Sequence, residues 1–253
     1  MDFLLEKQIA DLIQNCVLRK DPDQKIWRET RTGFAMIHDR PFEKLRTWVR
    51  QDHLMPEDML PGAESVVTFF LPFTQEISCS NNEGVPASRT WGEAYLQTND
   101  LIREINDEIT YLLEVGGFNC VQLPATHNFD KESLTSRWSH RHIAYLSGLG
   151  TFGKNNLLIT RSGCSGRLGS LITDAPLSSS PLPKQEFCIE KRGKKCGVCV
   201  GRCAKRALTK ENYDRHSCYE QCLDNAENLG TEHLMDVCGK CLTKLPCTFT
   251  VPA

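Results

Sequence analysis

Long hydrophobic runs are missing from this sequence. The longest, Val66 to Phe73, has eight residues and contains a threonine and a proline. A helix crossing a bilayer needs about 20 apolar residues, so a membrane-embedded protein is not expected. Charge of one sign is scarce too: 30 Lys and Arg stand against 32 Asp and Glu, a formal net charge of −2. Broad electrostatic binding of nucleic acid needs a basic surface, and none is indicated. The first residues, MDFLLEKQIADLIQ, place acids within the apolar stretch and have no cleavage-site pattern. An export signal is therefore not expected, and the reading is a cytoplasmic protein.

Cysteine is abundant. There are 13, and nine lie from Cys188 onward, while Cys16, Cys79, Cys120 and Cys164 occupy everything before. In a reducing compartment such a cluster points to metal rather than to disulfides. The order is Cys188-x7-Cys196-x2-Cys199-x3-Cys203, then Cys218-x3-Cys222, then Cys238-x2-Cys241-x5-Cys247. Two-cluster ferredoxins use C-x2-C-x2-C-x3-C, and the fourth cysteine of each run ligates the other cluster. Here Gly193 stands where the first cysteine belongs, and Cys188 can substitute from a longer loop. Crossing the runs gives two sets of four for two 4Fe–4S clusters. One is Cys188, Cys196, Cys199 and Cys247; the other is Cys203, Cys238, Cys241 and either Cys218 or Cys222. The competing reading is one zinc ion between the knuckles Cys196/Cys199 and Cys238/Cys241, which leaves five cysteines without a role.

Ahead of the cysteines the pattern is mixed. Leu5, Ile9, Leu12, Ile13 and Cys16 share a helical face over 3–18, and Phe42, Leu45 and Val49 suggest a second helix after Pro41. SVVTFFL, from Ser65 to Leu71, predicts a buried strand, and residues 74–90 a loop. From Trp91 to Leu113 a helical period runs through more than six turns, ended by Gly116-Gly117. Further expectations are a strand at 120–123, a helix at 132–147, and strands at 156–160 and 169–173 joined by a loop. The stretch APLSSSPLPKQEF marks a linker or wrapping loop. The fold class expected is α+β (α/β-like), with an α/β core over 1–180 and a cysteine module over 181–253.

Gly148-Leu149-Gly150-Thr151-Phe152-Gly153-Lys154 matches G-x-G-x-x-G, yet the dinucleotide motif follows a strand and opens a helix. Here a helical pattern precedes and a strand follows, so a helix stop with a tight turn, or close backbone approach to a large ligand, is the better reading. The segment Lys191–Arg206 holds seven basic residues and no acid. It is either a solvated surface or a docking patch for an acidic electron donor such as flavodoxin or ferredoxin.

SGLGTFGKNNLLIT, then Gly169-Ser170, then the cysteine runs, together resemble the epoxyqueuosine reductases, relatives of the reductive dehalogenases. PFEKLRTWVRQDHL, LPGAESVVTFFLPF, CGVCVGRCAKRAL and DRHSCYEQC extend the likeness over about residues 40–247, with Ala204 where proline is usual. The resemblance implies a nitroreductase-like core holding base-off cobalamin beside a ferredoxin-like module, with electrons passing through the clusters to cobalt. It favours Cys218 over Cys222 and places Gly148, Gly150, Thr151, Gly153, Lys154, Asn155 and Ser170 beside the cobalamin. In the WSHRH stretch, one histidine or Arg141 is the candidate to face the cobalt. The family's catalytic aspartate falls at Leu134 in this register; the nearest acids are Asp130 and Glu132. His140, Asp130 and Tyr145 are therefore the candidate proton donors. The family's C-terminal helical-repeat domain, which helps hold tRNA, has no counterpart before Ala253, so a small molecule is the expected substrate rather than tRNA. A substrate-free electron carrier, or a partner that reduces a corrinoid, is the alternative.

Overall fold

Helix α1 (Phe3–Lys20) and helix α5 (Arg89–Val115) lie side by side on one face of a four-stranded sheet. A computed structural model provides this architecture and describes residues 3–230 and 233–253. The strands are β1 (Arg31–Met36), β2 (Ser65–Pro72), β3 (Cys120–Gln122) and β6 (Gly166–Thr173), in the order β1-β2-β6-β3, and every neighbouring pair is antiparallel. Short helices α2 (Leu45–Trp48), α3 (Pro56–Met59), α4 (Gln75–Ser80) and α6 (His140–Leu146), and a two-stranded ribbon of β4 (Gly150–Phe152) and β5 (Leu158–Thr160), complete the core.

The centre of the sheet explains itself from its residues. Successive side chains of a strand point to opposite faces, and β2 is buried along its whole length. Val67, Phe69 and Leu71 join Leu171 against Ile9 and Ile13 of α1 and Leu101, Ile102, Ile105 and Ile109 of α5. Val66, with Ile172, faces the other way onto Leu45, Trp138, Ile143 and Leu146, and Phe70 meets Ala144, Leu149 and Leu158. Burial on both faces is why the strand reads as a continuous apolar run. Each such side chain stabilises by about 1.5–3 kcal/mol.

Helix α5 follows the expected period. Ser88 accepts the Trp91 N–H at its start, and its end passes into Gly117 at φ 83°, where the Phe118 N–H closes on the Leu113 carbonyl. Such left-handed closures favour glycine.

Several expectations need correction. The helix expected at 132–147 is confined to α6; before it, Asp130 accepts the Ser133 N–H and hydroxyl, and Leu134 takes φ 51°. Local side-chain caps compete with helix formation, and here they win. The loop expected at 74–90 contains α4, begun by Thr74, whose hydroxyl oxygen accepts the Ile77 N–H. The second helix is only a 3-10 turn at 42–44 running into α2. Strand β1 was not expected: RTGFAM lies at the sheet edge and is only partly apolar. The strands expected at 156–160 and 169–173 lie in separate sheets, β5 pairing with β4 and β6 with β2 and β3.

The stretch after β6 wraps rather than links. Phe34 and Met36 donate their N–H groups to Ser180 Oγ (3.0 Å) and Ser179 Oγ (2.9 Å), and Ser180 N–H returns to the Phe34 carbonyl. The free edge of β1 is thereby covered, which removes an exposed pairing edge. Arg40 clamps the same strap, donating to the carbonyls of Leu146 and Ser180. Beyond it, residues 188–253 contain little regular structure besides α7 (Val198–Gly201) and α8 (Arg215–Leu229). None of the described helices is long and apolar enough to cross a membrane.

Candidate functional site

The C-terminal cysteines lie in two neighbourhoods. Cys188, Cys196, Cys199 and Cys247 line one narrow cavity together with Lys154, Asn155 and Glu190. Burial, and then the charges of Cys247, Cys188 and Cys196, push the Cys199 thiol up to about 11. In the second group, burial again raises the Cys241 thiol, followed by the charges of Cys238, Cys218 and Cys203. Cys238 is acted on by Cys218 and Cys203, and Cys218 by Cys203, after burial in each case. Cys222 belongs to the same neighbourhood: burial raises its thiol first, followed by the charges of Cys218, Cys238, Asp236 and Cys241, and it also lines a further space beside Cys238 and Asp236. All thirteen cysteines are free thiols. Thiols held this high remain protonated near neutrality, and a coordinating metal deprotonates them outright.

Loop backbone anchors both groups to the core. Asn155 Nδ2 donates to the Cys241 carbonyl at 2.8 Å, and Asn81 Nδ2 to the Cys238 carbonyl at 2.8 Å. Cys164, from the core, donates its N–H to the Cys247 carbonyl and sets its Sγ 4.0 Å from that of Cys247. The buried Cys164 thiol stays protonated and donates to Cys247, whose own thiol is thereby made more acidic. Among the described residues, no three His, Cys, Asp or Glu side chains form a ready single-ion site.

A large cleft opens beside the second cysteine group. It comprises two spaces of about 690 and 410 Å³ that share Trp48, Arg141, His142 and Arg215. Ordinary small-molecule sites occupy about 300–1,000 Å³, so jointly the two have room for a macrocycle. Arg141 bridges cleft and cysteines: its Nη1 donates to the Asn156 carbonyl at 2.6 Å, and charge on Tyr213, Cys218 and Cys241 acts on it. Tyr213, which spacing did not single out, bonds to the Cys218 thiol and is raised by burial first. No sequence signal marks it.

The expected site residues separate into those at the cleft and those behind it. Arg141, Gly153, Lys154 and Tyr145 line the larger space, and Tyr145 sits edge-on to Trp48. Gly148, Gly150, Thr151 and Ser170 line neither space. A Cβ on Gly150 would come within 2.0 Å of the Ile159 carbonyl oxygen, and one on Gly148, at φ 75°, within 2.6 Å of the Pro181 oxygen. The close approach these glycines permit is to the chain's own backbone. Thr151 Oγ1 accepts the Phe187 N–H at 2.7 Å.

Ser170, fully buried, belongs to a directed chain. Trp138 Nε1–H donates to Ser170 Oγ (3.0 Å), which is 2.8 Å from His140 Nδ1, and His140 Nε2 is 2.8 Å from the Pro124 carbonyl. A carbonyl only accepts, so Nε2 carries the proton and Nδ1 accepts from Ser170. Burial depresses His140 to about 4, and His142, at the shared wall of the cleft, also to about 4. Both are neutral imidazoles at pH 7. Asp130 is engaged with Ser133 in an exposed turn, which holds its carboxyl below the usual range. Leu134 lines the 410 Å³ space.

No protein-family model matches the sequence, and no curated protein does. The fold, a mixed α/β architecture around a small antiparallel sheet, is found in solved epoxyqueuosine reductases. One crystal structure of that enzyme superposes with a TM-score of 0.58 at 17% identity, over 97% of this chain and 70% of that one. The Bacillus subtilis enzyme, solved with its catalytic aspartate loop swung out of the active site, gives 0.55 at 16% over 97% and 67%. A third, solved with an epoxyqueuosine-modified tRNA-Tyr stem loop, gives 0.51 at 16% over 86% and 58%.

Proposed function

We propose that this chain is a cobalamin-dependent iron–sulfur oxidoreductase, in which two 4Fe–4S clusters and base-off cobalamin serve the reduction of a small organic substrate. The observation that supports the reading is that Cys188, Cys196, Cys199 and Cys247 line one cavity while Cys203, Cys218, Cys222, Cys238 and Cys241 act on one another in a second neighbourhood, near a cleft with room for a macrocycle. Cys188, Cys196, Cys199 and Cys247 would hold one cluster; Cys203, Cys218, Cys238 and Cys241 would hold the other. Thiolate donors suit iron–sulfur clusters. The core would be nitroreductase-like and the cysteine layer ferredoxin-like. When bound, these groups supply low-potential electron transfer and a reducing metal centre.

The chain's own residues have definable tasks. Arg141 links the cleft wall to the second cysteine set. Trp138, Ser170 and His140 form a fixed hydrogen-bonded wall. Tyr145 is the proton-donor candidate that lines the larger space. Lys191, Lys194 and Lys195 are exposed around the exposed Cys196, which suits docking of an acidic, cytoplasmic electron donor near the first cluster; steering of this kind weakens with salt. The carboxylate-free lining of the 410 Å³ space, with Leu134 in it, favours a second reading as an electron carrier or corrinoid-reducing partner without its own substrate.

Anaerobic purification followed by metal and sulfide analysis, with a visible spectrum after adding cobalamin, tests the proposal. The expected result is about eight iron and eight sulfide per chain and a shift to the base-off spectrum. Clusters without corrinoid binding would leave only the electron-carrier reading. Stoichiometric zinc in a colourless protein would overturn both.

A further inference from the structure

Arg167 stands near the start of β6, where the 410 Å³ space meets a second one of about 300 Å³ lined by Tyr95, Phe129, Tyr219 and Asp236. Its guanidinium carbon lies 4.3 Å from the Tyr95 ring centroid. Tyr95 is itself fixed: its hydroxyl donates to Asp236 Oδ1 at 2.9 Å and lies 3.1 Å from Thr126 Oγ1. Arg167 Nε is buried without a hydrogen-bond partner, and the side chain joins no ion pair among the described residues. Asp236 bonds to Tyr95 and approaches His127 at 3.6 Å, and its charge acts on Arg167 without an ion-pair contact.

The lining of the 410 Å³ space strengthens the point. It contains Arg141, Arg167 and Arg215 and not one Asp or Glu. Arg141 is spent on the Asn156 carbonyl, whereas Arg167, placed over the Tyr95 ring, makes no side-chain hydrogen bond among the described residues and buries its Nε unmatched. A part-buried cation without an ion-pair contact is costly, and a guanidinium presents paired donors suited to the two oxygens of a carboxylate or phosphoryl group.

We infer that Arg167 anchors a small organic anion, held by a carboxylate or phosphoryl group on the guanidinium with its apolar part against Phe129 and Leu134. This names the substrate class for the cleft and so rests on the proposed function. It concerns a residue outside the cysteine sets and outside the chain through Ser170 and His140.

Cluster-loaded protein, with and without added cobalamin, is titrated with benzoate, phenyl phosphate and inorganic phosphate at constant ionic strength. Binding is followed by ligand NMR. Saturable binding in the parent chain is expected, weakened at least tenfold in Arg167→Gln and partly restored in Arg167→Lys, with iron content and the cobalamin spectrum unchanged. Binding of benzoate alone assigns a carboxylate; binding of the phosphates alone assigns a phosphoryl group. Equal affinity in Arg167→Gln, or no saturable binding of any probe, would overturn the inference. Loss of iron in both variants would also overturn it, by assigning Arg167 to offsetting cluster charge. Failure of the parent to bind cobalamin would sink the proposed function, while the cobalamin-free titration would still decide the anion site.

Discussion

The core up to the strap and the cysteine layer after it are built on different principles. In the core, β2 is buried on both faces and α5 runs for 27 residues against it. In the cysteine layer the longest helix, α8, buries only Gln221, Asn225 and Leu229. What ties that layer down is polar. Asn225 accepts the Ala87 N–H and donates to the Val237 carbonyl; Lys240 donates to the carbonyls of Asn81 and Glu83; Arg28 reaches the Phe249 carbonyl. Apolar burial sustains a core alone, whereas a layer this poor in it needs another source of cohesion. Metal coordination is such a source, because binding free energy at a site absent from the unfolded chain becomes folding free energy.

The sharpest way to break this contrast is to strip the proposed clusters. After anaerobic chelation, α8 amides are expected to lose hydrogen-exchange protection while those of β2 and β6 keep theirs. A protected α8 in the metal-free chain would show that polar anchors suffice. The converse perturbation strikes the core: Phe69→Ala, at a fully buried site, is expected to cost about 3–5 kcal/mol in denaturant unfolding. Iron content per folded chain should be unchanged.

Acid gives a subtler separation, since His140 and His142 line the cleft from the core side. Their folded values, about 4 against an ordinary 6.5, mean that the unfolded chain binds more protons between these limits. Their contribution is complete above pH 6.5 and is lost as pH falls towards 4. A double His140→Asn, His142→Asn variant should therefore show a flatter stability profile between pH 7.5 and pH 5 than the parent. Parallel profiles would mean that burial at this wall is weaker than the structure indicates.

How much was legible follows from where each signal resides. The period of α5 and the apolar run of β2 are local, and each was readable because one face, or both, is buried along the whole element. The cysteine runs were legible because ferredoxin-type ligation, which they resemble, constrains short sequence intervals. Strand β1 escaped because an edge strand with a strapped backbone needs little apolar pattern, and α4 because six residues are too few to display one. The helix expected ahead of α6 failed where Asp130 capped a turn.

The glycine motif shows both sides. Its order, helix before and strand after, already separated it from a dinucleotide loop, and α6 and β5 flank it in that order. Which atoms approach those glycines was not readable: Ile159 and Pro181 arrive from the ribbon and the strap. Ser170 and His140, 30 residues apart, meet for the same reason.

By itself, then, the sequence determined the long elements and the crowding of nine cysteines into its last 66 residues, because periodicity and composition act over short stretches. Tertiary structure alone decided that Tyr213 meets Cys218, that Arg141 spans cleft and cysteines, and that Arg167 lies over the Tyr95 ring with its Nε unmatched. Those relations join residues from separate elements, and only packing of the sheet, the strap and the cysteine layer brings them within reach of one another.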